Sequence, residues 1–155
     1  MESKYQIVID TKEKQPHIFS ESNYCSGFVL SGLKTGDYSI VGHEDKLSIE
    51  RKRNLAEWSQ NINQDRFDRE LVRLNEYGLP FLLLEFSVED MLNFPEGSGI
   101  PKKLWPKLRV SSPYIVKRTL EIYRKYPNIQ VIFGGGRDNA HTILNQIFMR
   151  YWRDK

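Results

Sequence analysis

Apolar residues along the chain fall into two kinds of run. Short runs rich in β-branched and aromatic residues come first: YQIVID over Tyr5 to Asp10, Phe28 to Leu33, Asp37 to Val41, and Leu47 to Lys52. They read as strands, the last two joined by a turn around Gly42 to Asp45. Longer stretches with helical spacing follow. Asn54 to about Ile62 reads as a helix, and Asp65 to Tyr77 more clearly so, with Phe67, Leu71 and Leu74 at i, i+4 and i+7 and Gly78 placed to end it. PFLLLEF over Pro80 to Phe86 and IQVIF over Ile129 to Phe133 are continuous apolar runs, the pattern of strands covered on both faces. Ser112-Pro113 opens a helix that reaches Tyr126, with serine as cap and proline at the first helical position. Asp138 or Asn139 caps a last helix whose apolar side carries Ala140, Ile143, Leu144, Ile147, Phe148 and Tyr151.

Hairpins early and alternating strands and helices later predict an α/β fold, a mixed central sheet flanked by helices. The whole chain, residues 1–155, reads as one domain. Within it the 25 residues from Ser87 to Ser111 form an irregular insertion, long enough to be functional or mobile.

Composition narrows the class. Hydrophobic residues make up 39% and charged residues 28%, near a globular average, and no apolar run is long enough for a membrane span. The first residues carry no secretory pattern, and Cys25 is the only cysteine, which excludes an internal disulfide and a multi-cysteine zinc site and predicts a reducing, cytoplasmic setting. The net charge of +3 is compatible with a polyanion without requiring one. The cations cluster at 51–53, 66–73, 102–109, 117–118 and 124–125.

The hairpin GDYSIVGHEDKLSIERK, Gly36 to Lys52, poses the chemical question. A turn centred between His43 and Glu44 sets position 37 opposite position 50, with Cβ atoms roughly 5 Å apart. Alternation puts Glu50 and Lys52 on one face and Arg51 on the other. Two carboxylates that close repel or share a proton. A divalent cation resolves the conflict, since Mg²⁺ is held by one or two carboxylates plus water and phosphate. The ammonium then orients or deprotonates an attacking water, or stabilises charge on a phosphate. Asp37, Glu50 and Lys52 are thus the parts for metal-dependent phosphodiester hydrolysis. The plainer alternative is a surface hairpin with solvated charges.

Five segments tip the balance. VIDTKEKQP (Val8 to Pro16), GDYSI (Gly36 to Ile40), SIERK (Ser48 to Lys52), RFDRELVRL (Arg66 to Leu74) and FLLLEF (Phe81 to Phe86) resemble, in order, the nuclease domain of the XPF/Mus81 (ERCC4-type) endonucleases, of the restriction-endonuclease-like superfamily. The resemblance spans almost the whole chain. It implies a restriction-endonuclease-like fold and a DNA endonuclease using Mg²⁺ or Mn²⁺, with DNA as partner and branched or otherwise structured DNA as a candidate substrate. Asp37, Glu50 and Lys52 would form the metal-binding and catalytic core. Asp10, as a further ligand, and Glu13 would lie beside it, and Arg51 would support the site or reach DNA from another angle. Two positions depart from the family pattern. Lys12, a candidate DNA contact, stands where the family usually has arginine, whose planar fork an ammonium does not reproduce. Ala56 stands where the family has aspartate, and Glu57 is the neighbour that could substitute.

Other features carry less. Arg66, Arg69 and Arg73 form a stripe suited to a phosphate backbone, or a solvated face paired with Asp68 and Glu70. KKLWPKLRV, with Lys102, Lys103 and Trp105, offers cations beside a ring that stacks on bases or plugs the core. Glu85, at the end of a buried strand, suits a supporting role. Tyr114, Tyr123, Tyr126, Phe148, Tyr151 and Trp152 give the late helices an aromatic surface suited to a homodimer or to their own sheet. A stand-alone domain of this kind suits a prokaryotic or phage-like setting. The alternatives to an endonuclease are a catalytically silent DNA-binding subunit that kept the fold and a protein-interaction domain.

Overall fold

A computed structural model describes residues 3–155. Six strands form one mixed sheet: β1 (Tyr5–Ile9), β2 (Cys25–Leu30), β3 (Tyr38–Ile40), β4 (Leu47–Lys52), β5 (Leu79–Leu84) and β6 (Gln130–Phe133), in the order β2-β1-β3-β4-β5-β6. β3 runs antiparallel to β1 and β4, and the other neighbouring pairs are parallel. Helices α1 (Leu55–Asn61), α2 (Asp65–Leu74), α3 (Val88–Leu92), α4 (Ser112–Lys125) and α5 (Arg137–Asp154) flank it, with a 3-10 turn at Lys102–Lys107. This is the α/β fold, a mixed sheet between helices, that the hydrophobic pattern predicts.

Period-two alternation sorts the side chains into two cores. On one face Ile7, Ile9, Tyr38, Ile40, Leu47, Ile49 and Leu83 pack against Ala140, Leu144, Ile147 and Phe148 of α5. On the other, Leu82 and Leu84 pack against Leu55 and Trp58 of α1, Phe67 and Leu71 of α2, and Ile115 and Ile122 of α4. Strands β4 and β5 are covered on both sides, as an unbroken apolar run requires.

Several element bounds differ from the sequence expectation. β2 lies at Cys25–Leu30, not at 28–33, because Tyr5 pairs with Cys25 and the chain leaves the sheet where Leu33 N–H donates to Asp10 Oδ1 at 2.9 Å. Helix α2 stops at Leu74, and Tyr77 lies in the turn beyond it. Ser111, not Ser112, caps α4, its hydroxyl accepting from Tyr114 N–H. Helix α5 starts at Arg137 after an extended Gly136, so Asp138 sits in the first turn, where its charge favours the helix dipole. The stretch 87–111 holds α3, capped reciprocally by Ser87 and Asp90, and the 3-10 turn. Trp105 donates its indole N–H to Ile100 C=O at 2.9 Å and thereby pins that segment. Among the late aromatics, Phe148 is buried against the sheet, Tyr151 hydroxyl meets His43 Nδ1 at 2.7 Å, and Tyr114 hydroxyl donates to Asn63. Tyr123 is exposed. Among the described residues no helix is long and apolar enough to cross a membrane.

Candidate active site

The site grows from a turn that only glycine allows. Gly36 has φ of +82°, and a Cβ there would lie 2.3 Å from Ser48 Oγ and 3.1 Å from Ile49 C=O. The close approach lets Asp37 N–H donate to Ile49 C=O at 2.7 Å while Asp37 C=O accepts from Asp10 N–H at 2.8 Å. Tyr38 pairs with Ile49, the register in which positions 37 and 50 oppose each other. Asp37 Oδ2 accepts from Arg51 N–H at 2.8 Å, which fixes the carboxylate against the strand.

Glu50 and Lys52 share the face turned towards α2. Lys52 Nζ lies 3.2 Å from Glu50 Oε1 and 4.5 Å from the centre of the Phe67 ring. Both side chains are largely withdrawn from water, at 15% and 8% exposure. Burial pushes the Asp37 carboxyl well above its ordinary range, and the charges of Glu50 and Glu13 push it further. Glu50 is raised to about 7, first by burial and then by Glu70 and Glu13, against the opposing pull of Lys52. One ammonium therefore does not compensate the acids gathered here.

These groups form the floor of a cleft of about 660 Å³. The β1–β2 side of the sheet contributes Lys12, Lys14 and Lys34 to its lining; the β4 side and α2 contribute Arg53, Arg66 and Arg73. Asp10 and Glu13 also reach it. Asp10 is engaged locally: Oδ1 accepts from Leu33 N–H and Oδ2 from Lys12 N–H. Glu57 lines the cleft, but its Oε2 accepts from both Nε and Nη2 of Arg53 and its Oε1 from the Arg53 backbone N–H. Arg69, Lys102 and Lys103 lie outside the cleft lining, and Lys102 sits 5.8 Å above the Trp105 ring. Lys14 and Lys34 are cleft cations that sequence reasoning missed, and Arg53 was seen only as part of the cluster at 51–53. They come from loops and a strand end, where no periodicity marks them.

Arg51 points through the sheet to the α5 side. Its Nε donates to Glu85 Oε1 at 2.6 Å, Nη1 lies 3.3 Å from Glu13 Oε2, and its side chain is 1% exposed. His17 Nε2 meets the same Glu85 oxygen at 2.5 Å, and His17 Nδ1 meets His141 Nδ1 at 3.2 Å. Burial alone would raise Glu85; the hydrogen bonds from His17 and Arg51 outweigh it and hold the carboxyl below its ordinary value. Arg51 thus braces β4 from behind, its guanidinium held by Glu85 and Glu13.

Among the described residues no group of three or more His, Cys, Asp or Glu side chains is gathered as a metal-holding cluster. Asp37 and Glu50 are hard oxygen donors, and each keeps an oxygen outside the polar contacts described above. A magnesium ion, which needs only one or two carboxylates with water and phosphate for the rest, suits that pair.

No protein-family model matches the sequence, and no curated protein matches it. Solved structures do. XPF from Aeropyrum pernix superposes with a TM-score of 0.62 at 16% identity, over 92% of this chain and 62% of that one. XPF from the same organism in complex with DNA gives 0.64 at 16% identity, over 97% and 66%. The chain thus spans somewhat under two thirds of the length of those proteins, and at such identity the likeness is one of fold. The chain therefore has the fold of the matched part of XPF from Aeropyrum pernix, in keeping with the family that the segments from Val8 to Phe86 resemble.

Proposed function

We propose that the cleft binds DNA along its phosphate backbone and that Asp37, Glu50 and Lys52 hydrolyse a phosphodiester there with a divalent cation. The observation that carries the proposal is the pairing of two half-buried carboxylates, opposed in register and pushed up in pKa, at the floor of a cleft whose walls carry cations. Burial of like charges without compensation is costly, so a site that keeps them has a use for them. Asp37 and Glu50 would hold the ion, which supplies charge neutralisation at the phosphate and a more acidic water. Lys52 sits where it can stabilise charge on a non-bridging oxygen or orient the water. Lys12, Lys14, Lys34 and Arg73 flank the floor and suit the neighbouring phosphates.

A catalytically silent DNA-binding subunit is favoured by the lack of a three-donor cluster among the described residues and by the local engagement of Asp10. One experiment separates the two. The purified protein is incubated with single-stranded, duplex, flap and four-way DNA in Mg²⁺ or Mn²⁺ beside Glu50→Gln. A nuclease cuts at least one substrate and loses about 100-fold or more in rate on Glu50→Gln while still binding. A protein that binds DNA and cuts no form is the silent subunit.

A further inference from the structure

The segment from Thr11 to Pro16 carries Lys12, Glu13 and Lys14 to the cleft without belonging to any helix or strand. Apolar packing does not hold it: Thr11, Lys12, Lys14 and Gln15 are exposed. Gln15 adopts φ of +50°, a region that non-glycine residues enter at a cost and keep only when their surroundings impose it.

Two arginines impose it. From beneath, Arg51 Nη1 donates to Lys14 C=O at 3.2 Å and to Gln15 C=O at 3.1 Å. From outside, Arg137 Nη1 donates to the same Gln15 C=O at 3.0 Å, and Nη2 to Pro16 C=O at 2.9 Å. Arg51 is held by Glu85, which His17 engages in turn, so the inner half of the clamp is fixed. The outer half is a single exposed side chain, the first residue of α5. Among the described residues Arg137 forms no ion pair and does not line the cleft, so its fork is committed to the two carbonyls.

We propose that Arg137 is a positioning residue that sets Lys12 and Lys14 for phosphate by clamping the Gln15–Pro16 backbone against Arg51. This rests on the DNA-binding reading of the cleft. The planar fork is what spans two carbonyls; a lysine offers one point charge and cannot.

The test is a double-mutant cycle on affinity for a short labelled duplex in EDTA, using Arg137→Ala, Arg137→Lys, Lys12→Ala/Lys14→Ala and the combination. Both Arg137 variants are expected to weaken binding roughly five- to tenfold. In the Lys12→Ala/Lys14→Ala background, Arg137→Ala should add no more than about twofold. If Arg137→Lys keeps wild-type affinity, or Arg137→Ala costs the same in both backgrounds, Arg137 touches DNA itself and the proposal is overturned. Hydrogen exchange on the free protein gives a readout independent of DNA. Arg137→Ala should speed exchange at the Lys12, Glu13 and His17 amides, which are bonded to Asp10 and to Tyr38, without lowering the melting temperature. Unchanged exchange there also overturns the clamp. A wild-type protein that binds no DNA refutes the cleft's function instead, and the exchange comparison then decides the clamp alone.

Discussion

Asp37 and Glu50 work against the fold that holds them. Both carboxyls are raised in the folded chain, so the native state holds their protons more tightly than the unfolded chain does. The sign follows. For Glu50, folding is most favoured below its ordinary value of 4.5, weakens as pH climbs, and stops changing above about 7, where the group is ionised in both states. The loss is on the order of 3 kcal/mol. Asp37→Asn removes the repulsion between the two while leaving the Glu50–Lys52 pair intact. In EDTA at pH 8 the variant should be more stable than the wild type by about 1–2 kcal/mol, with little difference at pH 4. Urea unfolding at the two pH values measures this directly. Added Mg²⁺ should raise the melting temperature of the wild type and leave that of Asp37→Asn unmoved, because a ligand stabilises only the state that binds it. A wild type equally stable at both pH values would show that these carboxyls are not in conflict.

At the scale of the element, the site depends on how closely β3 enters β4. Gly36→Ala adds a methyl 2.3 Å from Ser48 Oγ at a φ of +82°, so strand and turn must separate. The expected outcome is a loss of about 1–3 kcal/mol in stability together with the loss of any Mg²⁺-induced rise in melting temperature. A variant that keeps that rise would show that Asp37 does not need the close turn. How far the sequence exposes this architecture depends on sequence distance. The β3–β4 register was legible because a short turn fixes it, and alternation alone sends Arg51 to the far face. The partners it finds there were not legible. Glu85, His17 and His141 lie 34 residues or more from Arg51 or from one another in the chain, and no local pattern joins them. Asp10 shows the same limit in small: its place at a strand end is readable, but the Leu33 N–H that occupies it comes from a loop 23 residues away. Element bounds shifted where a polar capture ended or began an element, as at Leu33 for β2 and Ser111 for α4.

Across the whole molecule, a net charge of only +3 conceals an uneven field. Acids and cations largely cancel outside the cleft, and several pairs cancel inside it, since Arg53 is bound to Glu57 and Arg66 to Glu70. Among the described residues Lys12, Lys14, Lys34 and Arg73 line the cleft without an ion pair, and these four have charge left to displace counterions from a phosphate backbone. Four such contacts give a slope of about −3.6 for log affinity against log salt, so binding to duplex DNA in EDTA should fall about 150-fold between 50 and 200 mM salt. Lys34→Ala should reduce the steepness by about one and weaken binding evenly across unrelated sequences, because a phosphate contact carries no base information. Among the described residues the cleft lining contains no aromatic ring on which an unpaired base could stack, so the proposed binding rests on the phosphate backbone. Anisotropy titrations over that salt range, with two duplexes of different sequence, distinguish the cases. A flat salt dependence would mean that the cations around Asp37 and Glu50 do not meet phosphate, and would turn the cleft towards a protein partner. A steep slope confined to one of the duplexes would mean that bases are being read by residues outside the cleft.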